Sequence, residues 1–77
     1  MTLKIISAEK ILFEGEASMV TLPGEQGRFT VLPHHASLIS TLVSGKILYR
    51  IDGEEHELEV EGGIADVDRD VVSVCVY

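Results

Sequence analysis

Hydrophobic and polar residues alternate with a period of two through most of the chain, and no stretch sustains the period of an amphipathic helix. Leu3 to Ile6 is a short apolar strand interrupted by Lys4, after which Ser7-Ala8-Glu9-Lys10 turns the chain into Ile11-Leu12-Phe13. Glu14-Gly15-Glu16 reads as a break or bulge before a strand over Ala17 to Leu22. Pro23-Gly24 reads as a type II turn, because proline presets φ and glycine accepts a positive one. Arg28 to Leu32 extends again and stops at Pro33, which cannot donate to a ladder. His34 to Val43 is ambiguous. Leu38, Ile39, Leu42 and Val43 fall at helical spacing, whereas Ser40, Thr41 and Val43 favour a strand, and the segment is too short to hold as a helix unaided. It is assigned as a short strand with an irregular lead-in, closed by a turn at Ser44-Gly45-Lys46.

The second half is plainer. Lys46 to Ile51 is a strand, and Asp52-Gly53 is a strong hairpin signal. Glu54 to Glu61 then alternates strictly, placing glutamates in water and His56, Leu58 and Val60 inward. Gly62-Gly63, a strand over Ile64 to Val67, a turn at Asp68-Arg69-Asp70 and a last strand over Val71 to Val76 complete the chain. Short strands at this spacing predict an all-β fold, an antiparallel sandwich or barrel in a single domain.

Length and charge narrow the function. A chain of 77 residues holds one domain, and at this size folding buries roughly 60–65% of the unfolded surface, too little for a deep enclosed cavity. The net charge is −7, and it is unevenly placed: Asp52 to Asp70 holds nine acids against Arg69 alone, while the remaining residues hold four acids and five bases. A nucleic-acid partner would demand a basic stripe, which is missing. The near-neutral segment around the prolines and histidines is free to meet another protein. Cys75 is the one cysteine, so no internal disulfide forms; within Val71 to Tyr77 it reads as a small buried hydrophobe. The start of the chain lacks the apolar region of a secretory signal, and no apolar run is long enough to cross a bilayer, so direct membrane insertion is not expected.

Candidate chemistry is sparse. His34 and His35 are adjacent, so on a strand they point to opposite faces and do not readily grip one ion. Glu55, Glu57, Glu59 and Glu61 share a face, but four carboxylates on one exposed face read as a solubilising edge. Gly24 and Gly27 lack the rest of any phosphate-cradling loop, and no nucleophile motif is present. No active site and no cofactor site are expected. The apolar residues from Leu32 to Val43 exceed what one face of a short strand can bury; they are either all core or in part an exposed patch.

The run Gly27-Arg28-Phe29-Thr30-Val31-Leu32-Pro33-His34-His35-Ala36-Ser37-Leu38-Ile39 resembles the G-x-[FL]-x-[IV]-x-P-x-H-A-x-L-[LI] signature of the ATP synthase epsilon subunit. Ser7-Ala8-Glu9 with Phe13-x-Gly15, Gly45-x-Ile47, and Gly62-Gly63-Ile64-x-x-Val67 agree with it in order and spacing, so the resemblance spans essentially the whole chain. It implies a flattened sandwich of two roughly five-stranded sheets, the N-terminal domain of epsilon. It also implies a non-catalytic rotor subunit, with the γ subunit and the polar loops of the c-ring as partners. That subunit would be peripheral to the cytoplasmic face of a bacterial inner membrane and would couple ion-driven rotation to ATP synthesis. By position, Ser7, His35, Ser40 and Leu42 match residues facing γ, and Gln26, Gly27, Arg28 and Phe29 match the loop that meets the c-ring. Two departures stand out. Arg28 occupies a position that is acidic in some relatives, and the sequence ends at Tyr77, where the family usually continues into two C-terminal helices. The expectation that follows is coupling and assembly without helix-mediated inhibition of hydrolysis.

Two other readings stand beside this one. The first is a small cupin-like metal-binding β protein using His34 or His35 with His56; the second is a free-standing interaction domain with another partner.

Overall fold

The computed structural model describes residues 1–77 as nine strands and no helix. They are β1 (Thr2–Ile6), β2 (Ile11–Glu16), β3 (Met19–Gly24), β4 (Gly27–Val31), β5 (Leu38–Leu42), β6 (Gly45–Ile51), β7 (Glu54–Val60), β8 (Gly63–Asp68) and β9 (Val71–Val76). The strands form one continuous, curled sheet in the order β2-β1-β9-β8-β5-β3-β6-β7, with β4 on the free side of β3. Its two halves, five strands (β2-β1-β9-β8-β5) and four (β4-β3-β6-β7), face each other as the layers of a β-sandwich. All pairs are antiparallel except β1 with β9, which run parallel from Thr2↔Val71 to Ile6↔Cys75.

Alternation decides which residues meet between the layers. Leu3 and Ile5 of β1, Val72, Val74 and Val76 of β9, and Ala65 and Val67 of β8 are buried from one side. Val20 and Leu22 of β3, Val31 of β4, Ile47 of β6 and Val60 of β7 are buried from the other. The side chains are small and mostly β-branched, which suits a thin molecule of 26 × 23 × 18 Å.

The layers join at one place. Gly24 of β3 pairs with Leu42 of β5, and Leu42 pairs in turn with Gly63 of β8. Two backbone hydrogen bonds hold this seam, from the Glu25 amide to the Thr41 carbonyl and from the Val43 amide to the Pro23 carbonyl, each 2.8 Å. Glycine is required on both sides of Leu42. A Cβ on Gly24 would lie 2.7 Å from the Gly27 carbonyl oxygen and 2.9 Å from the Phe29 ring. A Cβ on Gly63 would lie 2.1 Å from the Cys75 carbonyl oxygen. The opposite margin is closed by side chains: Phe13 of β2 packs on Tyr49 of β6 with ring centroids 4.8 Å apart, and Tyr49 stacks on His56 of β7 at 5.5 Å.

Several local expectations are corrected. Pro23-Gly24 is not a turn; both residues are buried strand, paired with Arg28 and Gly27, and the turn is Glu25-Gln26. Proline is tolerated because the nitrogen of a strand residue points the same way as its carbonyl, here toward Val43 at the seam, where β4 makes no demand on it. Glu14-Gly15-Glu16 does not interrupt β2, since Lys4 lies opposite Glu14 and the Thr2 hydroxyl donates to Glu16 Oε2 at 2.7 Å. The irregularity falls instead between Ile5 and Ile6 of β1. Cys75 is exposed, one position out of phase with the buried valines of β9. His56 shares the side of Leu58 and Val60 but is exposed at the margin, covered only by the Tyr49 ring. The β6–β7 hairpin turns at Asp52-Gly53 as its sequence indicates, both with positive φ.

The seam supplies a stability test. Gly63→Ala places its Cβ against backbone that cannot rotate away, and Gly24→Ala meets both backbone and a ring. Each is expected to cost about 1–3 kcal/mol or more, with Gly63→Ala the larger, read from the midpoint of urea denaturation.

Candidate protein interface

The strand directions sort every turn to one of two ends. Ser7 to Lys10, Glu25-Gln26, Val43-Ser44 and Glu61-Gly62 lie at one end, and the 32–37 loop, Asp52-Gly53 and Arg69-Asp70 lie at the other. Gln26 and Gly27 therefore project from the same end as the Ser7 turn, while His35 projects from the opposite one. Gln26, Gly27 and Arg28 are exposed, whereas Phe29 is half-buried and packs on the core, so it anchors the turn from beneath. Arg28 reaches past β3 and donates from Nη1 to the Lys46 carbonyl at 3.2 Å.

Of the four residues expected to face γ, three stay within reach of the surface. His35 is exposed, and Ser7 and Ser40 are half-buried. The Ser7 hydroxyl is engaged in its own turn, donating to the Lys10 carbonyl and accepting from the Glu9 and Lys10 amides. Leu42 is corrected: it is 3% exposed and lies in the core at the seam, so its side chain holds the two layers together. Its neighbours Thr41 and Val43 face outward, as period two requires.

The surface between Ser7 and His35 carries a feature that the sequence reading did not identify. Cross-strand register lines up Ile11, Ile6, Cys75, Ile64 and Thr41 as one row over the outer face of the five-stranded half. Ile11 and Ile64 are more than half exposed and Ile39, nearby on β5, is 74% exposed. Leu32 and Val43 are also exposed, so the apolar excess of the 32–43 segment is in part a surface patch. The next row, Ile39, Asp66, Ser73, Lys4 and Glu14, is mixed in character and borders the apolar row with charge. The outer face thus has an exposed apolar row with a polar and charged border. The row's signal in the sequence was the outward phase of isoleucines on three separate strands, which only register could assemble.

The 32–37 loop is shaped by the turn beside it. The His34 amide donates to Asp70 Oδ1 at 2.8 Å, and the Ser37 hydroxyl donates to Asp68 Oδ1 at 2.7 Å. Within the loop the His35 amide donates to the Leu32 carbonyl at 3.2 Å, and His35 Nδ1 lies 2.6 Å from the Ala36 carbonyl. A carbonyl only accepts, so Nδ1 carries the proton and Nε2 is the atom His35 offers outward. A shallow depression lined by Ser37, Leu38, Ile39, Asp66, Val67 and Asp68 lies alongside.

The histidines do not assemble a metal centre. His56 stacks on Tyr49 at the far margin while His34 and His35 belong to the loop, and no group of three histidine, cysteine or carboxylate side chains is arranged to hold an ion.

The His34 amide holds the Asp70 carboxyl below its ordinary value of 3.8; partial desolvation opposes this, and the Met1 ammonium and His34 add to it. A depressed carboxylate stabilises the fold above its unfolded pKa and loses that contribution as pH falls through the folded value. The loop contact is therefore expected to persist at neutral and mildly acidic pH and to release only below pH 3.8. The amide proton shift of His34, followed by NMR against pH, is expected to titrate with a midpoint below that value.

With this geometry in hand, comparison with known proteins is direct. The β-sandwich domain of the ATP synthase delta/epsilon chain matches residues 1–77. The ATP synthase epsilon chain of Bordetella petrii is 45% identical over 71 residues, covering 91% of this chain and 50% of its own length. That of Dehalococcoides mccartyi is 39% identical over 74 residues, covering 96% and 53%. The chain thus spans about half the length of these curated relatives. In shape it matches a chain of the Euglena gracilis mitochondrial ATP synthase OSCP/F1/c-ring structure with a TM-score of 0.90 at 21% identity, covering 96% of this chain and 48% of that one. A chain of the Tetrahymena thermophila mitochondrial ATP synthase central stalk and c-ring matches with a TM-score of 0.83 at 12% identity, covering 97% and 61%. At those identities the likeness establishes a shared fold, and the sequence matches establish descent: the chain belongs to the family of ATP synthase delta/epsilon-chain β-sandwich domains.

Proposed function

We propose that this chain acts as a non-catalytic central-stalk subunit of an F-type ATP synthase, joining the γ subunit to the c-ring so that ion-driven rotation reaches the catalytic head. The observation that carries the reading is the apolar row from Ile11 to Thr41, with Ser7 at one end of the strands and His35 at the other. Fully burying an isoleucine contributes about 1.5–3 kcal/mol, so covering several that stand half or more exposed gives a partner a firm seat. γ lies across this face and its β5 margin in the proposed arrangement, meeting His35, Ser40 and the Ser7 turn. The Glu25–Phe29 segment, at the end of the sandwich, meets the polar loops of the c-ring. There Gln26 and Arg28 supply exposed polar groups, and the cation of Arg28 calls for an acidic or carbonyl-rich ring loop. No helix is long and apolar enough to cross a membrane; in the proposed role the chain attaches to the cytoplasmic face of a bacterial inner membrane through its partners.

Co-purification with γ tests the first contact. Wild-type chain is expected to form a stable 1:1 complex, and Ile64→Glu or Ser40→Arg is expected to weaken it at least about a hundredfold, because a charge is then buried unpaired. Folded variants that bind as wild type would remove the γ assignment. Arg28→Glu tests the second contact in the assembled enzyme. It is expected to leave γ binding intact while lowering ATP-driven ion pumping, and unchanged pumping would detach the 25–29 segment from the ring.

A further inference from the structure

We infer that Asp70 and Asp68, at the tip of the β8–β9 hairpin, are positioning residues that hold the 32–37 loop in the conformation presenting His35 to a partner; for the identity of that partner the inference rests on the γ reading above. Every residue from Leu32 to Ser37 is exposed, so packing does little to fix the loop. Its side-chain-mediated links to the rest of the fold are the His34 amide on Asp70 and the Ser37 hydroxyl on Asp68. Both acceptors belong to one hairpin, and the bonds flank His35 from either side.

Backbone conformation points to the same spot. The chain has four non-glycine residues at positive φ, and three of them, His34, Arg69 and Asp70 at 66°, 51° and 61°, meet at this contact. Arg69-Asp70 is a two-residue turn between the paired Asp68 and Val71, with both residues left-handed. The other such turn in the chain, Asp52-Gly53, puts glycine second, where no side chain is needed. At Asp70 the unstrained residue is replaced by one whose carboxylate receives the His34 amide. That amide points at Asp70 because His34 is itself left-handed, so each strained residue supports the other. Met1 adds its ammonium 3.8 Å from Asp70 Oδ2. The two aspartates fix the place of His35 in the loop, and the Ala36 carbonyl on Nδ1 fixes the orientation of its ring.

Three variants of the full chain test this, Asp70→Gly, Asp70→Asn and Ser37→Ala, each followed by the His34 amide shift, the melting temperature and the affinity for γ. Asp70→Gly relieves the turn while deleting the acceptor. It is expected to keep the melting temperature, abolish the downfield position of the His34 amide, and weaken γ binding about tenfold, the population factor for losing one charge-assisted hydrogen bond from the competent loop. Asp70→Asn retains an acceptor oxygen and tolerates positive φ, so it is expected to bind within about threefold of wild type. Ser37→Ala is expected to act in the direction of Asp70→Gly, with the His34 amide unmoved. An unmoved His34 amide in Asp70→Gly would overturn the clamp, as would equal losses for Asp70→Gly and Asp70→Asn. A freed loop with undiminished γ affinity would overturn the presentation of His35. Failure of the wild-type chain to bind γ would remove the partner and the presentation to it, leaving the amide shift to decide the clamp by itself.

Discussion

The molecule depends on the close approach of backbone to backbone at Gly24, Leu42 and Gly63. Nine short strands make two small layers, and neither layer alone buries both faces of anything; the layers must be folded over each other at a sharp angle. The fold is made where the chain has no side chain on either side of Leu42, so that β3 and β8 can flank it without a Cβ in the way. Leu42 is the one bulky group in that row and points into the space between the layers. Valine-rich alternation then fills a thin core, and the Phe13–Tyr49–His56 stack closes the margin that backbone pairing leaves open.

Seam and docking face are linked through β5. The strand whose Leu42 ties the layers together carries Ile39 and Thr41 on its other side, so the element that closes the sandwich also shapes its apolar exterior. The five-stranded half is hydrophobic inside and partly hydrophobic outside, while β7 turns Glu55, Glu57 and Glu59 to water. The asymmetry gives the molecule one partly apolar outer face and one charged outer face. Of the nine carboxylates between Asp52 and Asp70, four lie on β7 in the other layer, while Asp66 and Asp68 stand on β8 beside the apolar row.

The all-β class, the Asp52-Gly53 hairpin and most strand positions were legible in the sequence because period two and turn chemistry are local signals. The errors were of two kinds. Pro23-Gly24 carries a turn signature, but tertiary contact at the seam makes proline harmless and glycine necessary in a strand; no local rule contains that information. Cys75 reads as buried in its valine-rich run because the alternating phase of a strand is fixed only once its neighbours are known, while Leu42 was set toward γ by the resemblance and not by phase. The candidate loops were found through the signature around Pro33 and His35. The apolar row escaped notice because its members are scattered over five strands and come together only through register. The role of Asp70 was hidden for a similar reason, since its contact with His34 joins residues 36 positions apart.

The parallel pairing of β1 with β9 bears on how the chain acquires its structure. Thr2 meets Val71, so β1 finds one of its two neighbours only when β9 has emerged. Until then the β1–β2 hairpin, which bears Leu3 and Ile5, has one open edge. A closure that late makes the non-local entropy fall in one step and slows folding relative to a meander of the same size. During synthesis the nascent chain thus carries an unsatisfied, apolar strand edge from the emergence of β1 to that of β9, which is where a chaperone or a misplaced copy of the same hairpin would compete with β9.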